Sequence, residues 1–165
     1  MRLTQFTDYG LRLLMYLASR EDEFVTTEVI AGVFRVSQEH LLKVVRRLCE
    51  LGYIEAKRGA HGGVRFVPST RESSVGSVVR NLEPQLLVEC FDPASNTCPI
   101  LPICGLSSLL MRANDAFFEE LESVRIGELV RPSSMRSALP IESAAVPGKR
   151  RGSTPVRRQR AAMKD

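Results

Sequence analysis

The apolar positions fall first into a helical stripe. Within residues 7–19, Leu11, Leu14, Met15 and Leu17 share one helical face, which predicts a helix with Thr7 as its N-cap. Asp8 lies in the first turn, where a carboxylate suits the helix dipole. The polar run "EDEF" breaks the pattern. Thr26 or Thr27 then caps a short helix through about Phe34, "RVS" makes a tight turn, and Ser37 opens another helix. In that helix Leu41, Leu42, Val44, Val45, Leu48 and Leu51 repeat at helical spacing, and Gly52 suits the position just past its end. Two short helices joined by a brief turn form a helix-turn-helix, the second being the recognition helix. "YIEAKR" and "VRFVP" alternate like strands around "GAHGG", a hairpin with glycines for positive φ.

The pattern thus predicts a winged helix-turn-helix over residues 1–82, closed by a helix that starts at Ser73 or Ser74 and stops before Pro84. Residues 83–104 form a loop. From Gly105 to about Val124 a long helix carries Leu106, Leu110, Ala113, Phe117, Leu121 and Val124 on one stripe. A stripe of that length suits pairing with a second copy, so 105–130 reads as a dimerisation helix; packing on its own domain is the alternative. "IGELV" ends the ordered part. Residues 131–165 mix Pro, Ser, Gly, Ala and Arg without periodicity and read as a disordered basic tail. The fold class is mostly α with a small β-hairpin wing.

Charge sharpens this picture. Residues 35–71 hold eight Lys/Arg against three acids, whereas residues 72–130 hold three against nine. A localised basic patch is a footprint for a polyanion such as double-stranded DNA, although a solvated charged face would give the same counts. On the recognition helix Ser37, Gln38, Glu39, His40, Lys43 and Arg46 are the candidate DNA contacts. On the wing they are Lys57, Arg58, His61 and Arg65, suited to phosphate or the minor groove. The runs "GKRR" and "RRQR" of the tail add attraction to DNA or serve only to solubilise. No apolar run reaches the roughly 18–20 residues needed to span a bilayer, and no signal peptide is evident, so the expected compartment is the cytoplasm. No substrate-pocket motif, nucleophile–base pair or nucleotide loop is present, which argues against an enzyme.

Three of the four cysteines lie in "CFDPASNTCPILPIC": Cys90, Cys98 and Cys104. In a reducing compartment, clustered cysteines favour metal or redox chemistry. Structural zinc sites use closer pairs, while iron–sulfur clusters tolerate wider spacing, so a cluster leads over zinc, a redox disulfide or no metal. Cys49 sits among Val45, Leu48 and Leu51 and reads as a core residue. Neither His40 nor His61 is an attractive ligand, which leaves a carboxylate as the better fourth donor.

"MRLTQFTDYGLRLLMYLA", "VSQEHLLKVVRRLCELGYIEAKRGAHGGVRF" and "VVRNLEPQLLVECFDPASNTCPILPICGL" together resemble the Rrf family of winged-helix iron–sulfur regulators, over about residues 1–130. "FTDYGLR" and "LEP…LVECF" are most similar to its nitric-oxide-sensing repressors. The resemblance implies a homodimer on a palindromic operator, with one [4Fe–4S] cluster per subunit ([2Fe–2S] being the alternative). It implies ligands Cys90, Cys98 and Cys104, with Asp8 supplied by the other subunit, and nitric oxide as the signal that releases DNA. Cluster-assembly regulators of the family carry a histidine three residues after the last cysteine, where this chain has Ser107. Its iron-responsive regulators share the seven-residue gap between the first two cysteines but commonly have Asn where this chain has Asp8, so iron status is the alternative signal.

Overall fold

The computed structural model describes residues 3–59, 62–83 and 87–139. Helix α1 spans Gln5–Ala18, starting earlier than the periodicity predicts. Thr4, in extended backbone, is the cap and accepts from the Thr7 amide at 3.3 Å. Thr7, the expected cap, lies inside the helix with its hydroxyl committed elsewhere. Helix α2 spans Thr27–Phe34 and is capped by Thr26. Helix α3 spans Gln38–Glu50; Ser37 holds its N-cap position without a side-chain hydrogen bond, and Gly52 closes its far end at φ 73.

Strands β1 (Ile54–Lys57) and β2 (Gly63–Phe66) pair antiparallel, Ile54 opposite Phe66 and Lys57 opposite Gly63. Val25 adds a short third rung: its amide donates to the Val64 carbonyl at 2.9 Å and the Val64 amide returns at 2.8 Å. Gly63 is required here. Its φ is 147, and a Cβ would lie 2.5 Å from the Val25 carbonyl oxygen. Helix α4 (Val75–Leu82) is capped by Ser74, and helix α5 (Gly105–Glu122) is the long one.

The core gathers Leu13, Leu14, Tyr16 and Leu17 of α1, Ile30 of α2, Leu41 and Leu48 of α3, Phe66 of the hairpin and Val78 and Val79 of α4. Gly10 marks where α1 crosses its neighbours: a Cβ there would meet Leu82 Cδ1 at 2.6 Å and Val44 Cγ1 at 3.7 Å. The predicted stripe of α5 divides. Its second half joins the winged-helix core through Phe118, with Phe117, Leu121 and Val124 packed alongside. The chain beyond is bridged to α4, the Val75 amide donating to Val124 and the Ile126 amide to Ser73, each at 2.9 Å. Residue 105 is therefore not a boundary of the core. The first half of α5 leaves Leu106, Leu109 and Met111 exposed beside Ile100 and Ile103 of the loop.

A further helix, α6 (Pro132–Ala138), forms inside the segment read as structureless, with Pro at its start, where the missing amide costs nothing. Tertiary contacts hold it where periodicity gave no signal. Arg136 donates to the Ser19 carbonyl, and the nearly buried Arg20, stacked 4.2 Å over the Tyr16 ring, donates to the Leu139 carbonyl. The rest of the tail, residues 140–165, lies outside the described residues.

Candidate nucleic-acid interface and thiol loop

Helix α3 is amphipathic by sequence. Leu41, Val44, Val45 and Leu48 are buried, so the remaining positions face solvent together. Ser37, Gln38, Glu39, His40, Lys43 and Arg46 are all exposed on that face or its N-terminal end. Lys43 pairs with Glu39 at 3.2 Å, an exposed i,i+4 pair worth well under about 1 kcal/mol and easily exchanged for a phosphate. Arg46 has no ion-pair partner among the described residues.

On the wing, Lys57 and Arg58 are exposed. Arg65 is more committed than its sequence position suggests: it bonds Glu55 at 2.7 Å and stacks 4.5 Å over the Phe24 ring. Predicted contact His61 lies outside the described residues. The basic residue that sequence reasoning missed is Arg35. It stands exposed in the turn before α3, in the left-handed region at φ 54 and ψ 41. No residue-type signal marks it, because that conformation ordinarily selects Gly or Asn.

Two of the three clustered thiols converge. Cys104 takes the N-cap position of α5, where its Sγ accepts from the Ser107 amide at 3.4 Å. Cys90, in a 3₁₀ turn over Glu89–Phe91, has its Sγ 3.7 Å from the Ser107 hydroxyl. Cys98 is held by its amide, which donates to Asn96 Oδ1 at 3.0 Å. Between Cys90 and Cys98 the chain folds on Asp92, which accepts from the Ala94 amide at 3.0 Å and the Ser95 hydroxyl at 2.7 Å. Those bonds, the Ser95 hydroxyl foremost, hold the Asp92 carboxyl below its usual range. All four cysteines are free thiols, and the three in the loop are partly exposed.

This donor set fits an iron–sulfur group in its chemistry. It offers three soft sulfurs, two of them at the start of an 18-residue helix, whose dipole favours an anionic group. The thiols are not drawn to ligating distance: among the described residues no three His, Cys, Asp or Glu side chains form a metal-holding group. Cys49 stands apart; burial and then Glu50 push its thiol up, as befits the core role read from sequence.

Asp8 is partly exposed on α1, with both oxygens engaged by Arg12 at 2.8 and 2.9 Å. The first turn of α1 is tied to the root of the thiol loop. Glu83 Oε2 accepts from the Thr4 amide at 2.9 Å, the Thr4 hydroxyl at 3.0 Å and the Thr7 hydroxyl at 2.9 Å. A half-buried cleft of about 190 Å³, lined by Gln5, Phe6, Tyr9, His40, Lys43 and Val44, joins the same turn to the start of α3.

Comparison with known proteins places these features. Residues 3–132 match the Rrf2 family, described as an iron-dependent transcriptional regulator. The chain is 41% identical over 133 residues to the HTH-type transcriptional regulator NsrR of Bacillus subtilis, covering 79% of this chain and 91% of that one. It is 40% identical over 142 residues to the NsrR of Geobacillus kaustophilus, covering 84% and 97%. Among solved structures, the oxidized form of Staphylococcus aureus CymR superposes with a TM-score of 0.61 at 29% identity, over 78% of this chain and 95% of that one. T. potens IscR, at 22% identity and a TM-score of 0.61 over 78% and 85%, shares the fold.

Proposed function

The chain belongs to the Rrf2 family of transcriptional regulators and is a DNA-binding helix-turn-helix protein, not an enzyme; from that premise we propose that it is an iron–sulfur repressor that releases its operator in response to nitric oxide. Cys90, Cys98 and Cys104 would hold one cluster per subunit, [4Fe–4S] or alternatively [2Fe–2S], and Asp8 from the second copy of a homodimer would complete the ligand set. The observation that carries this reading is the convergence of Cys90 and Cys104 on Ser107 at the N-terminus of α5. When bound, the cluster supplies iron that reacts with nitric oxide.

The chain's own residues then do the coupling. Arg12 holds both Asp8 oxygens, so ligation by Asp8 would exchange one of those two exposed contacts while the other keeps the carboxylate oriented. Glu83 ties the root of the thiol loop to the turn that carries Asp8, and α1 crosses α3 at Gly10. A change in the loop thereby reaches the recognition helix. Two such helices read successive major grooves only when held about 34 Å apart. The exposed Ile103, Leu106 and Leu109 supply an apolar face for the second copy. No helix among the described residues is long and apolar enough to cross a membrane.

The test is a gel shift with anaerobically purified, cluster-loaded protein on a palindromic operator, with and without nitric oxide, at fixed salt. Retarded DNA that is freed by nitric oxide is the expected result. Colourless, iron-free protein that binds equally well sinks the proposal. The family's description as iron-dependent favours a second reading, in which iron supply is the signal. DNA binding that follows iron supply and is unmoved by nitric oxide would favour iron, while Asp8→Ala with cluster assembly and nitric oxide response both unchanged would remove Asp8 from the ligand set.

A further inference from the structure

The first turn of α5 holds a buried hydroxyl with one of its hydrogen-bonding roles unfilled. Ser107 is the third residue of that helix and only 8% exposed. Its amide donates to Cys104 Sγ at 3.4 Å, and its hydroxyl oxygen accepts from the Cys90 thiol at 3.7 Å. A serine hydroxyl can accept and donate at once. The contact with Cys90 is the whole of its side-chain hydrogen bonding among the described residues, so its own proton has no acceptor there.

The duties that commonly occupy a serine at such a place are filled by other groups. A side chain at this position can reach back to the N-cap amide. Here the Cys104 amide donates instead to the Leu101 carbonyl at 3.2 Å. The helix start is capped by Cys104 Sγ, which takes the Ser107 amide and makes no use of the hydroxyl. Serines inside helices also bond the carbonyl one turn back, but no carbonyl accepts from the Ser107 hydroxyl among the described residues. The group that this hydroxyl meets is the Cys90 sulfur.

In the metal-free chain the Cys90 thiol supplies the proton of the contact. A cysteine that ligates a metal does so as thiolate and has no proton to give. The same two atoms keep their bond when the hydroxyl turns and donates. We propose that Ser107 is a positioning residue of the thiol site: its hydroxyl donates to the Cys90 sulfur once that sulfur binds a soft metal, while its amide holds Cys104. One helical residue then orients two ligands from separate parts of the loop. A donor on a ligating sulfur fixes its direction and shares its negative charge, which strengthens retention of the metal. The identity of that metal group as an iron–sulfur cluster rests on the proposed function; the hydrogen bond does not.

The experiment uses the full-length chain with Ser107→Ala, which keeps the amide and deletes the hydroxyl, and with Ser107→Thr, which keeps both. Each reduced, metal-free protein is titrated with cadmium chloride against a competing chelator, and the sulfur-to-cadmium absorption gives the affinity. Each is also reconstituted anaerobically with iron and sulfide for its midpoint potential and its rate of iron loss to a chelator. Ser107→Ala should bind cadmium about 10-fold more weakly and lose iron about 10-fold faster. Its midpoint potential should be lower, because the more negative reduced state loses a donor. Ser107→Thr should restore the potential and bring affinity and rate to within about 3-fold of wild type. A cadmium affinity of Ser107→Ala within about 2-fold of wild type overturns the proposal. So does an unmoved potential, or a Ser107→Thr variant as weak as Ser107→Ala, since a packing role gives either result. If the wild-type chain takes up no iron, the proposed function falls, while the cadmium titrations still decide the role of Ser107.

Discussion

Replacing Glu83 by Ala removes the acceptor that joins α1 to the root of the thiol loop, and the cost can be worked out group by group. One carboxylate oxygen accepts three hydrogen bonds of 2.9 to 3.0 Å from Thr4 and Thr7. Thr7 is fully buried, so its hydroxyl loses a charge-assisted bond where water cannot replace it, at a cost of about 1–3 kcal/mol. Thr4 is half-buried, so solvent recovers much of what its amide and hydroxyl lose, leaving about 0.5–1 kcal/mol. The sum is about 1.5–4 kcal/mol. Glu83→Gln keeps an acceptor oxygen without the charge and should cost about 1 kcal/mol. The chain has no Trp, so urea unfolding followed by far-UV circular dichroism is the assay, the midpoint read at constant slope. A double-mutant cycle with Thr7→Val isolates the buried bond. If orphaning Thr7 is the main term, the pair of substitutions costs at least about 1 kcal/mol less than the sum of the two. Additivity within about 0.5 kcal/mol, or a Glu83→Ala cost below about 0.5 kcal/mol, refutes the reasoning.

Gly63→Ala forces a side chain into φ 147 and against the Val25 carbonyl, so stability falls by about 2–3 kcal/mol in the same urea assay; an unchanged midpoint would contradict it. Arg35→Gly relieves a left-handed arginine and raises stability by up to about 1 kcal/mol, while its lost cation makes the salt slope of DNA binding shallower by about 0.9; an unchanged slope removes Arg35 from the interface. Tyr16→Phe deletes a buried hydroxyl that has no hydrogen-bond partner among the described residues, so stability should hold or rise by about 1 kcal/mol, and a loss above that value would reveal a missing partner. Because Ser95 and then Ala94 hold the Asp92 carboxyl low, the folded chain gives up that proton more readily than the unfolded one. The contribution is complete above the unfolded value near about pH 4 and is lost as pH falls through the lower native one. Asp92→Asn should therefore differ from wild type at neutral pH and converge with it in strong acid; a pH-independent difference would be wrong for this mechanism.

Much of the fold was legible because burial imposes a period. Val44, Val45 and Leu48 could be placed on the inner face of α3 from spacing alone, and the candidates Gln38, His40, Lys43 and Arg46, chosen for their polar or basic chemistry on that helix, are exposed. The hairpin was legible because "GAHGG" offered glycines, one of which, Gly63, the close approach of Val25 requires. What escaped were features carried by contacts between distant residues. Thr4 and Thr7 are both acceptable caps locally, and the choice between them involves Glu83, 79 and 76 residues away. Helix α6 has too few apolar residues to show a period, and its stability comes from Arg136 and Arg20 meeting backbone carbonyls. The α5 stripe predicted a dimer face along the whole helix, yet half of it is core. A helical period shows which positions share a face but not what covers it.

In the thiol loop the division runs between chemistry and position. Residue type and spacing named Cys90, Cys98 and Cys104 as a soft donor set, and the fold adds why two of them meet. Ser107, in the first turn of α5, donates its amide to Cys104 and accepts from the Cys90 thiol at its hydroxyl, so the helix start organises both sulfurs. The same logic recurs at the start of α1, where Thr4 and Thr7 present three donors to Glu83. Each end of the loop is thereby fastened to the beginning of a helix, the place where a helix has unpaired donors to give. One of those helices, α1, packs on α3 through a glycine with no side chain to cushion the contact. On the proposed function, a rearrangement of a loop anchored in this way would load α1, and the contact at Gly10 would carry that load to Val44 of α3 and so to the candidate DNA contacts on its outer face.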